Sequence, residues 1–130
     1  MAKLTANYAG GTAFQMQCRG HSVAIDQPED NGGLDSAMTP PEMFAASLSA
    51  CIGHYVANYC NQAGIATDGL KVLCDWESAD KPKRIGEISF QVELPGLPES
   101  RKRAVERVAA SCLLHATLMH PPQVHIKMGM

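Results

Sequence analysis

Charge is scarce in this chain and evenly divided. Only 18% of its 130 residues are charged, the formal net charge is −2, and no basic stripe runs along any segment. This argues against binding to nucleic acid or to an anionic membrane surface, both of which need clustered Lys and Arg. The first ten residues lack the charged-then-apolar layout of a signal peptide. Repeats, low-complexity tracts and Pro/Gly-rich linkers are also missing, so one domain over residues 1–130 is expected. Cysteine is present but odd in number, five in all, with no spacing that resembles a secreted disulfide framework. A reducing, cytoplasmic setting follows as the expectation, in which any disulfide is transient and functional.

Apolar residues make up 45% of the chain, enough to build a core at this length. Met43 to Cys60 is nearly all apolar or small and approaches the length of a membrane span. It contains Ser47, Ser49, His54 and Asn58 and has no flanking basic anchor, so it is expected to be a buried central helix covered by protein on all sides.

Around that helix the periodicity alternates between two and 3.6. Leu4, Ala6 and Tyr8, then Phe14, Met16 and Cys18, then Val23 and Ile25 alternate as three short strands, broken at Gly10-Gly11 and Arg19-Gly20. Pro28 to Met38 is an aperiodic loop. Thr39-Pro40-Pro41-Glu42 forms a helix start, with Thr39 as N-cap, Pro40 at the first helical position and Glu42 where a capping box places its carboxylate. That helix should end near Ala63, with Gly64 as its stop. Leu70, Val72, Cys74 and Trp76, then Ile88, Phe90, Val92 and Leu94, each share one face of a strand, with Asp80 to Arg84 as their connection. Pro98 opens a second helix that sets Val105, Val108 and Cys112 in register. Leu113 to Met119 continues as a helical turn or short third helix, and Val124, Ile126, Met128 and Met130 alternate as a final strand. The order βββ-α-ββ-α-(α)-β describes an α+β fold with antiparallel sheets, each apolar face against helices.

Cys51 falls mid-way along the central helix and Cys112 near the end of the second, and packing on common sheets would let the two sulfurs meet. A free cysteine is also commonly just a small buried hydrophobe. Cys18 and Cys74 lie on apolar strand faces, and Cys60, at about 100° per residue, lies on the side of the helix opposite Cys51. These three read as core.

The run Thr39-Pro40-Pro41-Glu42-Met43-Phe44-Ala45-Ala46-Ser47-Leu48-Ser49-Ala50-Cys51 resembles the helix motif of the OsmC/Ohr family (osmotically inducible protein C and organic hydroperoxide resistance proteins). Cys112-Leu113-Leu114-His115 resembles that family's second cysteine motif, and the element order agrees over nearly the whole chain. The resemblance implies an intertwined homodimer with the site at the subunit interface. It also implies a cofactor-free enzyme in which Cys51 reduces a small organic hydroperoxide, Cys112 resolves the product, and an external dithiol regenerates the pair. The family places a glutamate and an arginine near the first cysteine. Counted back from Cys51, that glutamate falls on Pro41, with Glu42 next to it. Arg19 is the only upstream arginine candidate, because none occurs between Arg19 and Arg84. Glu42 has the competing role of a helix cap, and Arg19 that of an exposed turn residue.

Two Cys-x-x-His pairs, Cys51 with His54 and Cys112 with His115, offer another way to activate a thiol, since a protonated imidazole beside it favours the thiolate. Converging, the same four residues would make a ligand set that zinc accepts. His21, His120 and His125 read as structural or exposed. The alternative to an enzyme is therefore a non-catalytic dimeric module that binds a small hydrophobic ligand or a metal at the subunit interface.

Overall fold

Alternation near the N-terminus becomes a three-stranded antiparallel meander of β1 (Thr5–Tyr8), β2 (Phe14–Cys18) and β3 (His21–Ile25), in that order. The computed structural model describes residues 3–129. Cys18 pairs with His21 across a two-residue loop, Arg19 and Gly20, with φ of 54° and 93°. Such a pair of positive φ angles lets a tight hairpin follow the natural strand twist. Arg19 is thereby an exposed turn residue.

The chain divides into two compact units, one ending at Ala46 and the other beginning at Ser47. In the first, the loop after β3 is organised by a carboxylate. Asp26 is only 2% exposed and accepts hydrogen bonds from the Thr12 hydroxyl (2.5 Å), the Ser36 hydroxyl (2.6 Å), and the Ser36 and Leu34 amides (3.1 and 3.3 Å). These donors, the Ser36 hydroxyl first, hold its carboxyl well below the usual carboxylate range. The loop closes so tightly that a Cβ on Gly33 would lie 2.0 Å from the Gln27 carbonyl oxygen.

Helix α1 (Pro40–Ala63) starts at the expected capping box. The Thr39 amide donates to Glu42 Oε1 (2.8 Å) and the Glu42 amide to Thr39 Oγ1 (3.3 Å). At its other end Gly64 takes φ 70° and the Ile65 amide bonds the Cys60 carbonyl, a glycine C-cap. Ala45, Leu48, Ile52, Val56 and Cys60 form a buried stripe at three- and four-residue spacing. The expectation of cover on all sides is corrected here. Phe44, Ser47, Ala50, His54 and Asn58 are exposed, because the single chain packs only one face of α1.

In the second unit β4 (Lys71–Ala79) and β5 (Arg84–Glu93) form a two-stranded antiparallel sheet. Val72 faces Val92, Cys74 faces Phe90 and Trp76 faces Ile88, with a register shift between Glu77 and Ser78. A 3-10 turn (Glu99–Arg101) leads into α2 (Lys102–Ala110), followed by α3 (Leu113–Met119). The core gathers Ile52, Val56, Cys60, Val105 and Cys112, packed against Val72, Phe90 and Val92 of the sheet. A side chain such as Val56, fully buried, contributes about 1.5–3 kcal/mol relative to exposure.

Two further expectations change. Cys112 does not continue the second helix: α2 stops at Ala110, and Cys112 is extended (φ −63°, ψ 152°) as the N-cap of α3. Among the described residues, the C-terminal segment forms no strand either. Val124, Ile126 and Met128 are 75%, 94% and 93% exposed, without the neighbouring ladder that makes a strand stable. Met130, expected to end that strand, lies outside the described residues. Among the described residues no helix is long and apolar enough to cross a membrane.

Candidate active site

Cys51 sits on α1 immediately before the buried Ile52 and is half-buried, at the border of the core. Cys112 sits in the break between α2 and α3 and is 0% exposed, enclosed by that core. The two helical segments bring the side chains near each other: Cys51 lies close enough to act on the protonation of Cys112, and both are free thiols.

Burial is the largest influence on Cys112 and pushes its thiol up from the ordinary value. The backbone amide of His115, donating to Cys112 Sγ at 3.3 Å, works in the opposite direction. The neighbouring Cys51 then pushes it further up, and the Leu114 amide partly opposes it. The net shift is upward, so the fold disfavours a thiolate at Cys112. Burial also raises Cys60, which lies in the core as the sequence implied. Cys18 and Cys74 are half-buried on their sheets and are not core residues.

The other sequence candidates separate into local roles. His54 is exposed, with its ring edge-on to Tyr55 at 5.9 Å, so water screens any charge that it carries. His115 is half-buried; its amide caps onto Cys112 and its side chain lines a cavity. The carboxylate of Glu42 is engaged by the Thr39 amide, and Arg19 occupies the hairpin tip. The zinc set is not assembled: among the described residues no three His, Cys, Asp or Glu side chains converge to hold a metal ion.

The cavity, about 620 Å³, is walled by Ile52, Phe90, Leu94, Leu97 and Val105, with Glu99, Lys102 and Glu106 supplying charge. Neither Cys51 nor Cys112 lines it. Sequence patterning did not reveal this hollow: its walls come mostly from residues 90–110, with Ile52 of α1 and His115 of α3, and periodicity does not show how those elements fold onto one another. It also missed Asp26, whose partner Thr12 is fourteen residues away, and the bond from Arg101 Nη1 to Tyr59 Oη (2.9 Å), whose partners are forty-two residues apart.

A half-buried thiol on a long helix, near a sealed thiol at a helix junction, marks an α+β protein with a candidate dithiol centre. The chain belongs to the OsmC family of OsmC-like proteins, whose model matches residues 33–127 and so spans the boundary between the two units. Solved structures share the fold at low sequence identity. A Psychrobacter arcticus protein described as an osmotic-stress-induced and detoxification response protein is 19% identical, with TM-score 0.82, covering 90% of this chain and 88% of the other. An OsmC-like protein of Mycoplasma pneumoniae is 16% identical, with TM-score 0.76, covering 93% and 89%. The organic hydroperoxide resistance protein OhrB of Bacillus subtilis is 22% identical, with TM-score 0.63, covering 90% of each chain. No curated protein matches the sequence significantly.

Proposed function

We propose that this protein is a thiol peroxidase that reduces small organic hydroperoxides, with Cys51 as the peroxidatic and Cys112 as the resolving cysteine. The observation that carries this reading is the proximity of two unequal thiols, Cys51 half-buried and Cys112 sealed, with burial pushing the Cys112 thiol up. Only a reachable thiolate can attack a peroxide, and a second thiol nearby can then resolve the product. Organic hydroperoxide resistance proteins from Bacillus subtilis and Vibrio cholerae share the fold, which supports the substrate class.

The steps balance as follows. The Cys51 thiolate attacks the distal oxygen of ROOH, the O–O bond breaks, and the alkoxide takes a proton to leave as ROH. Cys51 is then a sulfenic acid. Cys112 displaces its hydroxyl, which leaves as water, and an S–S bond forms. An external dithiol reduces that disulfide and is itself oxidised. The apolar surroundings of Cys51 suit a hydrophobic peroxide better than hydrogen peroxide. We read the two units as one OsmC-like domain, acting in the cytoplasm as a homodimer with the site at the subunit interface.

The test is consumption of cumene hydroperoxide with dithiothreitol as donor. Wild type is expected to turn over, Cys51→Ser to lose turnover, and Cys112→Ser to oxidise once and then accumulate sulfinic acid at Cys51. Wild type with both thiols free and no loss of peroxide would refute the proposal.

A further inference from the structure

We infer that the regenerating dithiol attacks the Cys51 sulfur of the Cys51–Cys112 disulfide, and that Cys112 is always the leaving group. This rests on the cysteine pair proposed above but concerns the other half of the cycle, in which the protein meets its reductant.

Thiol–disulfide exchange needs the incoming sulfur to approach in line with the S–S bond, so the sulfur attacked must be open on the side opposite its partner. Cys112 has no such opening. It is 0% exposed, and its walls, Ile52, Val56, Cys60 and Val105, all belong to its own chain. Association with a second copy can only add cover to a sealed atom. The cavity offers no second route, for His115 and Val105 line it while Cys112 does not. Cys51 is the half-buried member of the neighbouring pair, so it is the sulfur that an incoming thiol can reach.

Leaving-group chemistry opposes this assignment and has to be weighed. A thiol displaced from a disulfide leaves more slowly as its affinity for a proton rises, and burial makes Cys112 the poorer leaving group. Two features limit that penalty. The His115 amide, 3.3 Å from Cys112 Sγ, receives the charge as it develops, and a proton then neutralises the thiolate. The penalty is also graded, whereas the steric barrier at a sealed sulfur is nearly absolute; access decides.

The resulting sequence is balanced. A thiolate of the dithiol bonds to Cys51 Sγ, the S–S bond breaks, and Cys112 departs as a thiolate that takes up a proton. The second thiol of the reductant then attacks its own sulfur in the mixed disulfide. It expels the Cys51 thiolate and leaves the reductant as a cyclic disulfide.

The experiment oxidises the full chain with diamide, so that disulfide formation does not depend on peroxidase activity. Glutathione, as the monothiol probe, is added briefly. Acid quenching, N-ethylmaleimide labelling and peptide mapping then locate the adduct. Glutathione is expected on Cys51 and maleimide on Cys112, with a bias above about tenfold that collapses in guanidinium chloride. Adduct on Cys112, an even split in the folded protein, or a bias that survives unfolding would each overturn the inference. Failure of diamide to join the two cysteines would overturn it as well. A protein that shows the expected adduct yet consumes no hydroperoxide would sink the peroxidase reading and leave this one standing.

Discussion

Glu42 shows how one residue carries two readings that only geometry separates. Its carboxylate accepts the Thr39 amide while its own amide donates to the Thr39 hydroxyl, which is a complete capping box. Glutamine satisfies the same pattern, whereas alanine leaves the Thr39 amide without its partner. Glu42→Gln is therefore expected to retain both stability and hydroperoxide turnover, and Glu42→Ala to lose about 0.5–2 kcal/mol in a denaturant titration. A Glu42→Gln protein that folds normally but fails to turn over would show the carboxylate acting on Cys51 and give it a part in catalysis. The thiols behave differently, because what distinguishes Cys51 from Cys112 is burial, and burial depends on neighbours rather than on residue type. Sequence motifs therefore pointed to the pair and, through the resemblance, to unlike roles for its members, but not to the difference in burial between them.

Among the elements, the segment from Asp26 to Met38 depends on charge more than on apolar packing. Every donor to Asp26 favours the ionised carboxylate, so the folded chain binds a proton there less readily than the unfolded one. The sign follows. The stabilisation is fully present above the ordinary carboxylate range, about pH 4, and is lost as pH falls below it toward the depressed folded value. Asp26→Asn is expected to lower stability at neutral pH and to flatten its dependence on acid. Hydrogen exchange at the Leu34 and Ser36 amides reads the same loss locally. An acid profile and exchange rates unchanged by Asp26→Asn would show that the loop is held by something else. The strands and the caps of α1 were legible because each is a local pattern: alternation in β4 and β5, Thr39 and Glu42 at the start of the helix, Gly64 at its end. The break at Ser111-Cys112 was not, since Val108, Cys112 and Leu113 continue an apolar periodicity straight across it. The final strand failed for a complementary reason. Val124, Ile126 and Met128 alternate correctly, but alternation describes two faces and says nothing of whether a partner strand is present.

For the whole molecule, the surface itself argues for assembly. Exposed apolar side chains lie, among other places, on three segments. Phe44 lies on the second face of α1, Leu113, Leu118 and Met119 lie on α3, and Val124, Ile126 and Met128 lie in the C-terminal segment. A second copy is the partner that the family resemblance implied, and it would supply both the cover for α1 and the ladder for residues 124–128. Light scattering is accordingly expected to give about twice 13.9 kDa at micromolar concentration. Replacing Ile126, 94% exposed in the single chain, by Lys should cost nothing in an isolated monomer, since the position is already in water. In a dimer that pairs the segment, the same change buries a charge and shifts the equilibrium toward monomer. A monomeric wild type, or a dimer indifferent to Ile126→Lys, would mean that this segment is surface in its own right and that the site is complete within one chain.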